Sequence, residues 1–248
     1  MTHHFASQLA WPKVKSLASS GAVALLPIGS TEAHGPHLPL SVDVVIAEEV
    51  CRRVAHRLSA IGGSSVTFPP IAYTLTDFAA GFSGTVSLNA DTARALMRGV
   101  MEGIVQAGFS RVLVCNHHLE PAHFKLVHEA ARLAREGTPA KIAVADHRRR
   151  PHGPRLGEEF MHGGSHAGGY ETSLMMAVAP HLVDEAARRA LPDLQVDLPA
   201  KIKAGATDFL QCGGLDAYFG TPASATAEEG HRLFEILAEV SQAALEEP

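Results

Sequence analysis

Four short apolar runs constrain this chain more than any other feature. They are Ala22-Val-Ala-Leu-Leu-Pro-Ile28, Ser65-Val-Thr-Phe68, Arg111-Val-Leu-Val-Cys115 and Lys141-Ile-Ala-Val-Ala145. Each is short, unbroken and bounded by turn residues, the pattern of a strand buried on both faces. Helical periodicity fills the gaps. Residues 44–61 place Ala47, Val50, Cys51, Val54, Ala55 and Leu58 on one face. Asn89 or Asp91 can cap the next segment, whose stripe is Ala93, Leu96, Met97, Val100, Met101, Ile104 and Val105, and Gly108 ends it. Pro121 opens a third helix, which reaches about residue 135. Three helical crossovers between four buried strands predict an α/β fold with a parallel sheet covered on both sides.

The remaining elements are less regular. Pro12 predicts a short helix ending near Leu17. Residues 71–88 read as a long loop, a length that in compact domains usually serves function. Residues 148–170 read as a basic and then glycine-rich loop. A helix follows over 171–179, residues 190–225 are expected to be irregular, and an amphipathic helix closes the chain over 227–245. No repeat, low-complexity tract or linker divides the sequence, so residues 1–248 are expected to form one domain.

Composition excludes several classes. The net charge of -5, with no basic block, disfavours nucleic acid and anionic membrane as partners. Three scattered cysteines without a C-x-x-C pair argue against a disulfide framework or a thiolate zinc site. No signal-like segment or membrane span is evident, and a cytoplasmic location is expected.

Parallel strands end on one common edge, where ligands bind. Polar clusters follow three of the four runs: Glu32, His34 and Asp43 after the first, His118 and Glu120 after the third, Asp146 and His147 after the fourth. Glu32-x-His34 and His118-x-Glu120 are i, i+2 pairs, which point the same way from an extended segment. Each pair offers an imidazole and a carboxylate, a donor set suited to Zn²⁺, Mn²⁺ or Fe²⁺. With Asp43 the donors number five, enough for two divalent ions if one carboxylate bridges them. Asp43 also suits a plain helix cap, and Glu120 a favourable charge at a helix start. The convergence of five such residues on one edge favours the metal reading. His37, His123, His128 and His231 are read as ordinary core or surface histidines. In Met161-His-Gly-Gly-Ser-His166-Ala-Gly-Gly-Tyr-Glu171, His166 is a candidate proton donor or acceptor and Glu171 a supporting partner. No G-x-S-x-G setting surrounds Ser30, Ser83 or Ser165, so a serine nucleophile is disfavoured.

These motifs resemble the creatininase (creatinine amidohydrolase) family. Leu25-Leu-Pro-Ile-Gly-Ser-Thr-Glu32-Ala-His34-Gly-Pro-His37-Leu-Pro-Leu-Ser-Val-Asp43 is similar to its E-x-H-G-x-H-L-P-x-x-x-D signature. Phe82-Ser-Gly-Thr-Val-Ser-Leu88, Asn116-His-His118-Leu-Glu120 and His166-Ala-Gly-Gly-Tyr-Glu171-Thr-Ser-Leu-Met resemble three further segments, with Ser83 and His117 replacing the usual proline and glycine. The resemblance implies a three-layer α/β/α sandwich, a binuclear centre of Zn²⁺ with Zn²⁺, Mn²⁺ or Fe²⁺, and hexamers. It further implies Glu32, Asp43 and His118 on one metal and His34, Asp43 and Glu120 on the other. His166 and Glu120 take the catalytic roles, and His117, Leu119, His147, His162 and Ser165 face a small-molecule substrate. The expected reaction is hydrolysis of a C–N bond in a cyclic amide, formamide or related compound. The tryptophans that creatininase sets around creatinine are missing near Asp146-His147-Arg148 and near His162, so creatinine is not the expected substrate. The alternatives are a peptidase that trims a redox-cofactor precursor and, in a different class, a metal-binding scaffold without turnover.

Overall fold

The computed structural model describes residues 3–149, 151–163 and 165–247. Arg150 of the arginine run and Gly164 of the glycine-rich stretch lie outside the described residues. Five parallel strands form one sheet in the order β1-β3-β2-β4-β5. They are β1 (His3–Phe5), β2 (Val23–Ile28), β3 (Ser65–Thr67), β4 (Arg111–Asn116) and β5 (Lys141–Val144). The four expected strands are present. β1 was not foreseen: its three residues show no apolar alternation, and pairing with β3 fixes it, together with a 2.9 Å hydrogen bond between His3 Nε2 and Thr67 Oγ1.

Every residue of β2 is buried, which explains its continuous apolar run. Val23 and Leu25 face one layer, while Ala24, Leu26 and Ile28 face the other. Helices α1 (Trp11–Ser19), α3 (Ala90–Gln106) and α4 (Pro121–Ala134) cover the second face. α2 (Val42–Ala60) lies on the first face, with α5 (Glu158–Met161), α6 (Gly169–Val178) and the last helix. The result is a three-layer α/β/α sandwich. Asn89, rather than Asp91, caps α3, its side chain accepting from Thr92 N.

Residues 190–225, expected to be irregular, contain two short α-helices, and a third precedes them. The three are α7 (Glu185–Ala190), α8 (Leu198–Lys203) and α9 (Phe209–Cys212), capped by the carboxylates of Asp184, Asp197 and Asp208. These helices are too short for a periodic signal, but each begins at an aspartate. Phe209, Cys212, Ala217 and Phe219 pack with Ala79 into a separate apolar cluster. It ties this segment to the 71–88 loop and raises a wall beside the sheet's carboxyl edge. Among the described residues no helix is long and apolar enough to cross a membrane, and the three cysteines are buried and free.

Two glycines mark where backbones meet. A Cβ on Gly29, just past β2, would lie 2.6 Å from the backbone of Asp43 and Val44 at the start of α2. A Cβ on Gly230, in α10 (Ala227–Ala244), would overlap the carbonyl of Ser173 in α6. Gly230→Ala must therefore force the two helices apart. The expected cost is about 1–3 kcal/mol of stability, measured by denaturant unfolding, and an unchanged midpoint would contradict this packing.

Candidate metal centre

Strand ends and helix starts bring the donors together. β2 runs out into Ser30, Glu32 and His34, and β4 into His117, His118 and Glu120. α2 contributes Asp43 from its first turn, and α6 contributes Glu171 from its own. Asp43 is not the cap of α2: that position is Ser41, which makes no side-chain cap. The Asp43 carboxylate turns instead toward the sheet edge, where the Ser30 hydroxyl donates to Oδ2 at 2.7 Å. Gly29 permits this, because any side chain there would push α2 away.

Two groups of donors share Asp43. His118 Nδ1 lies 3.1 Å from Glu32 Oε1 and 3.1 Å from Asp43 Oδ2. His34 Nε2 lies 3.5 Å from Asp43 Oδ1, 3.5 Å from Glu171 Oε2 and 3.8 Å from Glu32 Oε1. Glu32, Asp43 and His118 form one set with metal-ligand spacing, and His34, Asp43 and Glu171 another. The first brings together the three residues expected on one metal. The second differs: Glu171 stands where Glu120 was expected. The Glu120 carboxylate turns toward the 71–88 loop, where Oε2 accepts from Phe78 N at 3.2 Å, and it lies 4.0 Å from His118 Nε2 on the side away from Asp43. Glu171 is held in place by Ala167 N, which donates to its Oε2 at 2.7 Å.

Hydrogen bonds fix which nitrogen each histidine presents. His118 Nε2 donates to the Leu75 carbonyl at 3.1 Å, leaving Nδ1 to face the carboxylates. His34 Nδ1 donates to the Glu32 carbonyl at 3.2 Å, leaving Nε2 inward. Behind His118 runs a second chain. Thr74 Oγ1 and Asn116 Oδ1 each lie 2.8 Å from a nitrogen of His123, and the Asn116 amide donates to the His118 carbonyl at 2.7 Å. Because Asn116 Oδ1 can only accept, His123 Nε2 donates and Nδ1 receives the Thr74 hydroxyl. The Thr76 hydroxyl donates to Glu32 Oε2. Ser30, Thr74, Thr76, Asn116 and His123 were not singled out as site residues. The only sequence signal for the threonines was the length of the 71–88 loop.

The electrostatics of the centre call for cations. Glu32, Asp43, Glu171, His34 and His118 are all buried. Burial alone would lower His34, but Glu171, Asp43 and Glu32 outweigh it and raise it to about 10. His118 is likewise raised well above its ordinary value by Glu32 and Asp43, against its own desolvation. Burial raises Glu171 to about 8. Each of these three desolvated carboxyl groups has one hydrogen-bond donor from Ser30, Thr76 or Ala167 N, the remaining compensation comes from protons, and His34 Nε2 has no hydrogen-bond partner. A buried charge set of this kind is costly unless paired or metal-bound. The oxygen and imidazole donors, with one carboxylate spanning both sets, fit two borderline divalent ions.

A cavity of about 490 Å³ opens above the centre. Glu32, Asp43, His118, Glu120, His166 and Glu171 reach its floor, and Leu119 and Ser165 its wall. His166 donates from Nε2 to the Ala33 carbonyl at 3.0 Å and packs between His34 and Phe209. Burial, then the neighbouring His34, lowers it to about 3. Three expected substrate contacts lie elsewhere. His117 is buried behind Glu171, 3.8 Å from its Oε1 and stacked on Tyr170, because the alternation at the end of β4 turns it away from His118. His147 is buried against α10, within 3.2 Å of Ser241 Oγ. The His162 side chain is 69% exposed beside Glu158, at the outer end of α5.

The creatinine amidohydrolase family profile matches residues 7–245. The chain is 31% identical to the mycofactocin precursor peptide peptidase of Mycolicibacterium smegmatis, over 93% of this chain and 87% of that protein. It is 29% identical to the creatinine amidohydrolase of Pseudomonas putida, over 73% and 74% of the two chains. A manganese creatininase structure superposes with a TM-score of 0.76 at 22% identity, covering 98% of this chain and 97% of that one. With its motifs in order and its donors converging at the strand ends, the chain belongs to the creatininase family of amidohydrolases.

Proposed function

We propose that the protein is a binuclear, divalent-metal-dependent hydrolase of C–N amide bonds. The observation that carries this reading is the Asp43 carboxylate, with one oxygen toward His34 and the other toward His118. Glu32, Asp43 and His118 would hold one ion, and His34, Asp43 and Glu171 the other, as Zn²⁺ with Zn²⁺, Mn²⁺ or Fe²⁺. Such a pair supplies the positive charge that makes a water acidic near neutral pH and polarises an amide carbonyl.

The chain's own residues handle protons and position. Glu120 borders the cavity outside both donor sets, and burial raises its carboxyl. With Oε2 engaged by Phe78 N, Oε1 is the atom that takes up a proton and returns it to the leaving nitrogen. His166 keeps its Nε2 proton on Ala33 and offers Nδ1 as an acceptor that orients the substrate. Phe160 and Phe209 line the cavity and exclude water from the reacting bond.

The substrate is a small amide other than creatinine. No tryptophan lines the cavity, and Trp11, the only one in the chain, is 75% exposed at the start of α1. Two observations favour a second reading, cleavage of a short peptide. Relatives over 30% identical are peptide peptidases, and the cavity has room for a ligand larger than one small ring.

Metal loading must release protons, because metal ligands bind deprotonated. At pH 7 the metal-free chain holds protons on His34, raised to about 10, and on His118. Weakly buffered zinc titration is expected to release about two protons per chain, with up to one more from Glu171. The yield falls as the pH approaches 10, where His34 has already given up its proton. Absence of proton release at pH 7 would contradict the ligand assignment. Glu120→Gln is expected to keep both metals yet lower kcat for amide hydrolysis by roughly 10²–10⁴-fold, measured alongside metal content. Full activity in that variant would remove Glu120 from the reaction.

A further inference from the structure

The cavity rim carries two cations that the metal chemistry does not use. Arg148 follows β5 on the same edge as the metal centre, and Lys203 is the last residue of α8. Both border the cavity. The cavity wall is largely apolar, with Leu119, Phe160, Ile202 and Phe209 in its lining.

Arg148 is held, but not used up. Its backbone N–H donates to Asp146 Oδ1 at 3.0 Å and its Nε to the same oxygen at 3.3 Å. Its guanidinium carbon lies 3.3 Å from the Phe124 ring centre, which fixes one face of the plane. No described residue accepts a hydrogen bond from either terminal amino group. Asp146 is also shared with Arg149, whose Nε stands 3.7 Å from Oδ2, so one carboxylate offsets two guanidiniums. Arg149 differs in having a second partner, Glu247 at 3.1 Å. Lys203 has no carboxylate within ion-pair distance among the described residues, and α8 holds it at the opening. A guanidinium fixed at one edge and one face, with its other donors free, is organised for two-pronged capture of a carboxylate.

We propose that Arg148, assisted by Lys203, forms a subsite for a carboxylate on the substrate, which makes the substrate an amide bearing a free carboxylate, such as an N-acyl amino acid or a peptide C-terminus. The proposal rests on the hydrolase reading above. The four carboxylates on the cavity floor are balanced by two divalent ions in that reading. The rim cations then leave the loaded site positive toward an incoming anion. Arg148 also explains the missing aromatic wall: a planar cation occupies the loop after β5, so selection there is by charge.

The test uses the zinc-loaded protein and a matched pair of probes, N-formyl-leucine and N-formyl-leucinamide. Binding is measured by calorimetry, and hydrolysis of each is followed separately by chromatography. The acid is expected to bind about tenfold or more tightly than the amide. Arg148→Gln is expected to remove most of that preference with unchanged metal content and circular dichroism, Arg148→Lys to restore part of it, and Lys203→Gln to weaken it less. A preference that survives Arg148→Gln in full would mean that the metals hold the carboxylate, and would overturn the proposal. Equal binding of the two probes, or no binding of either at millimolar concentration, would overturn it as well. A preference lost in Arg148→Gln without hydrolysis of either probe supports the subsite and counts against the hydrolase reading. Hydrolysis of both probes without preference does the reverse.

Discussion

The Asp43 carboxylate is the constraint on which the rest of the structure depends. Its two oxygens face two imidazoles that come from different strands, His34 beyond β2 and His118 beyond β4. That requires adjacent parallel strands in register, and β2 pairs with β4 from Ala24–Val112 to Ile28–Asn116. It also requires the first turn of α2 to press against the end of β2, closer than any residue but glycine at position 29 permits. The helix α2 then runs back along the sheet, burying Val42, Ile46, Val50 and Val54. The apolar core and the charged centre are therefore two ends of the same elements. A shift that relaxed one would misplace the other.

A cluster of desolvated carboxylates is a poor device for stability, because removing charges from water costs more than their mutual contacts return. The surrounding hydrogen bonds make sense as orientation. Ser30, Thr76 and Ala167 N each spend a donor on one carboxylate oxygen of Asp43, Glu32 and Glu171. Leu75 and Glu32 carbonyls set the faces of His118 and His34. The buried Thr74–His123–Asn116 chain supports His118 from behind. Outer partners of this kind hold ligands in the geometry a metal needs.

Much of this was legible in the chain. Four strands, their parallel sense and the clustering of donors at one edge follow from apolar runs, helical periodicity and i, i+2 spacing. β1 was not legible, because three residues hold it only through pairing. That Glu171 rather than Glu120 lies beside His34 and Asp43 was not legible either. Both residues sit at helix starts near a histidine, and spacing alone cannot say which carboxylate turns toward Asp43. The deciding contacts, Phe78 N to Glu120 and Ala167 N to Glu171, come from loops far away in sequence or bent locally. Ala167 itself adopts φ 50°, a left-handed conformation that the motif does not announce. His117 reads as a site residue because it adjoins His118, and His147 because it follows the end of β5, yet strand alternation and the packing of α10 bury them behind the site.

The account turns on Glu171 completing the second donor set. Metal content measured by mass spectrometry on purified, zinc-loaded variants tests this most directly. The account predicts that Glu171→Gln retains about one zinc per chain, while Glu120→Gln retains about two. Two zinc ions in Glu171→Gln together with one in Glu120→Gln would contradict it, and would return the second site to the carboxylate that the sequence motif suggested.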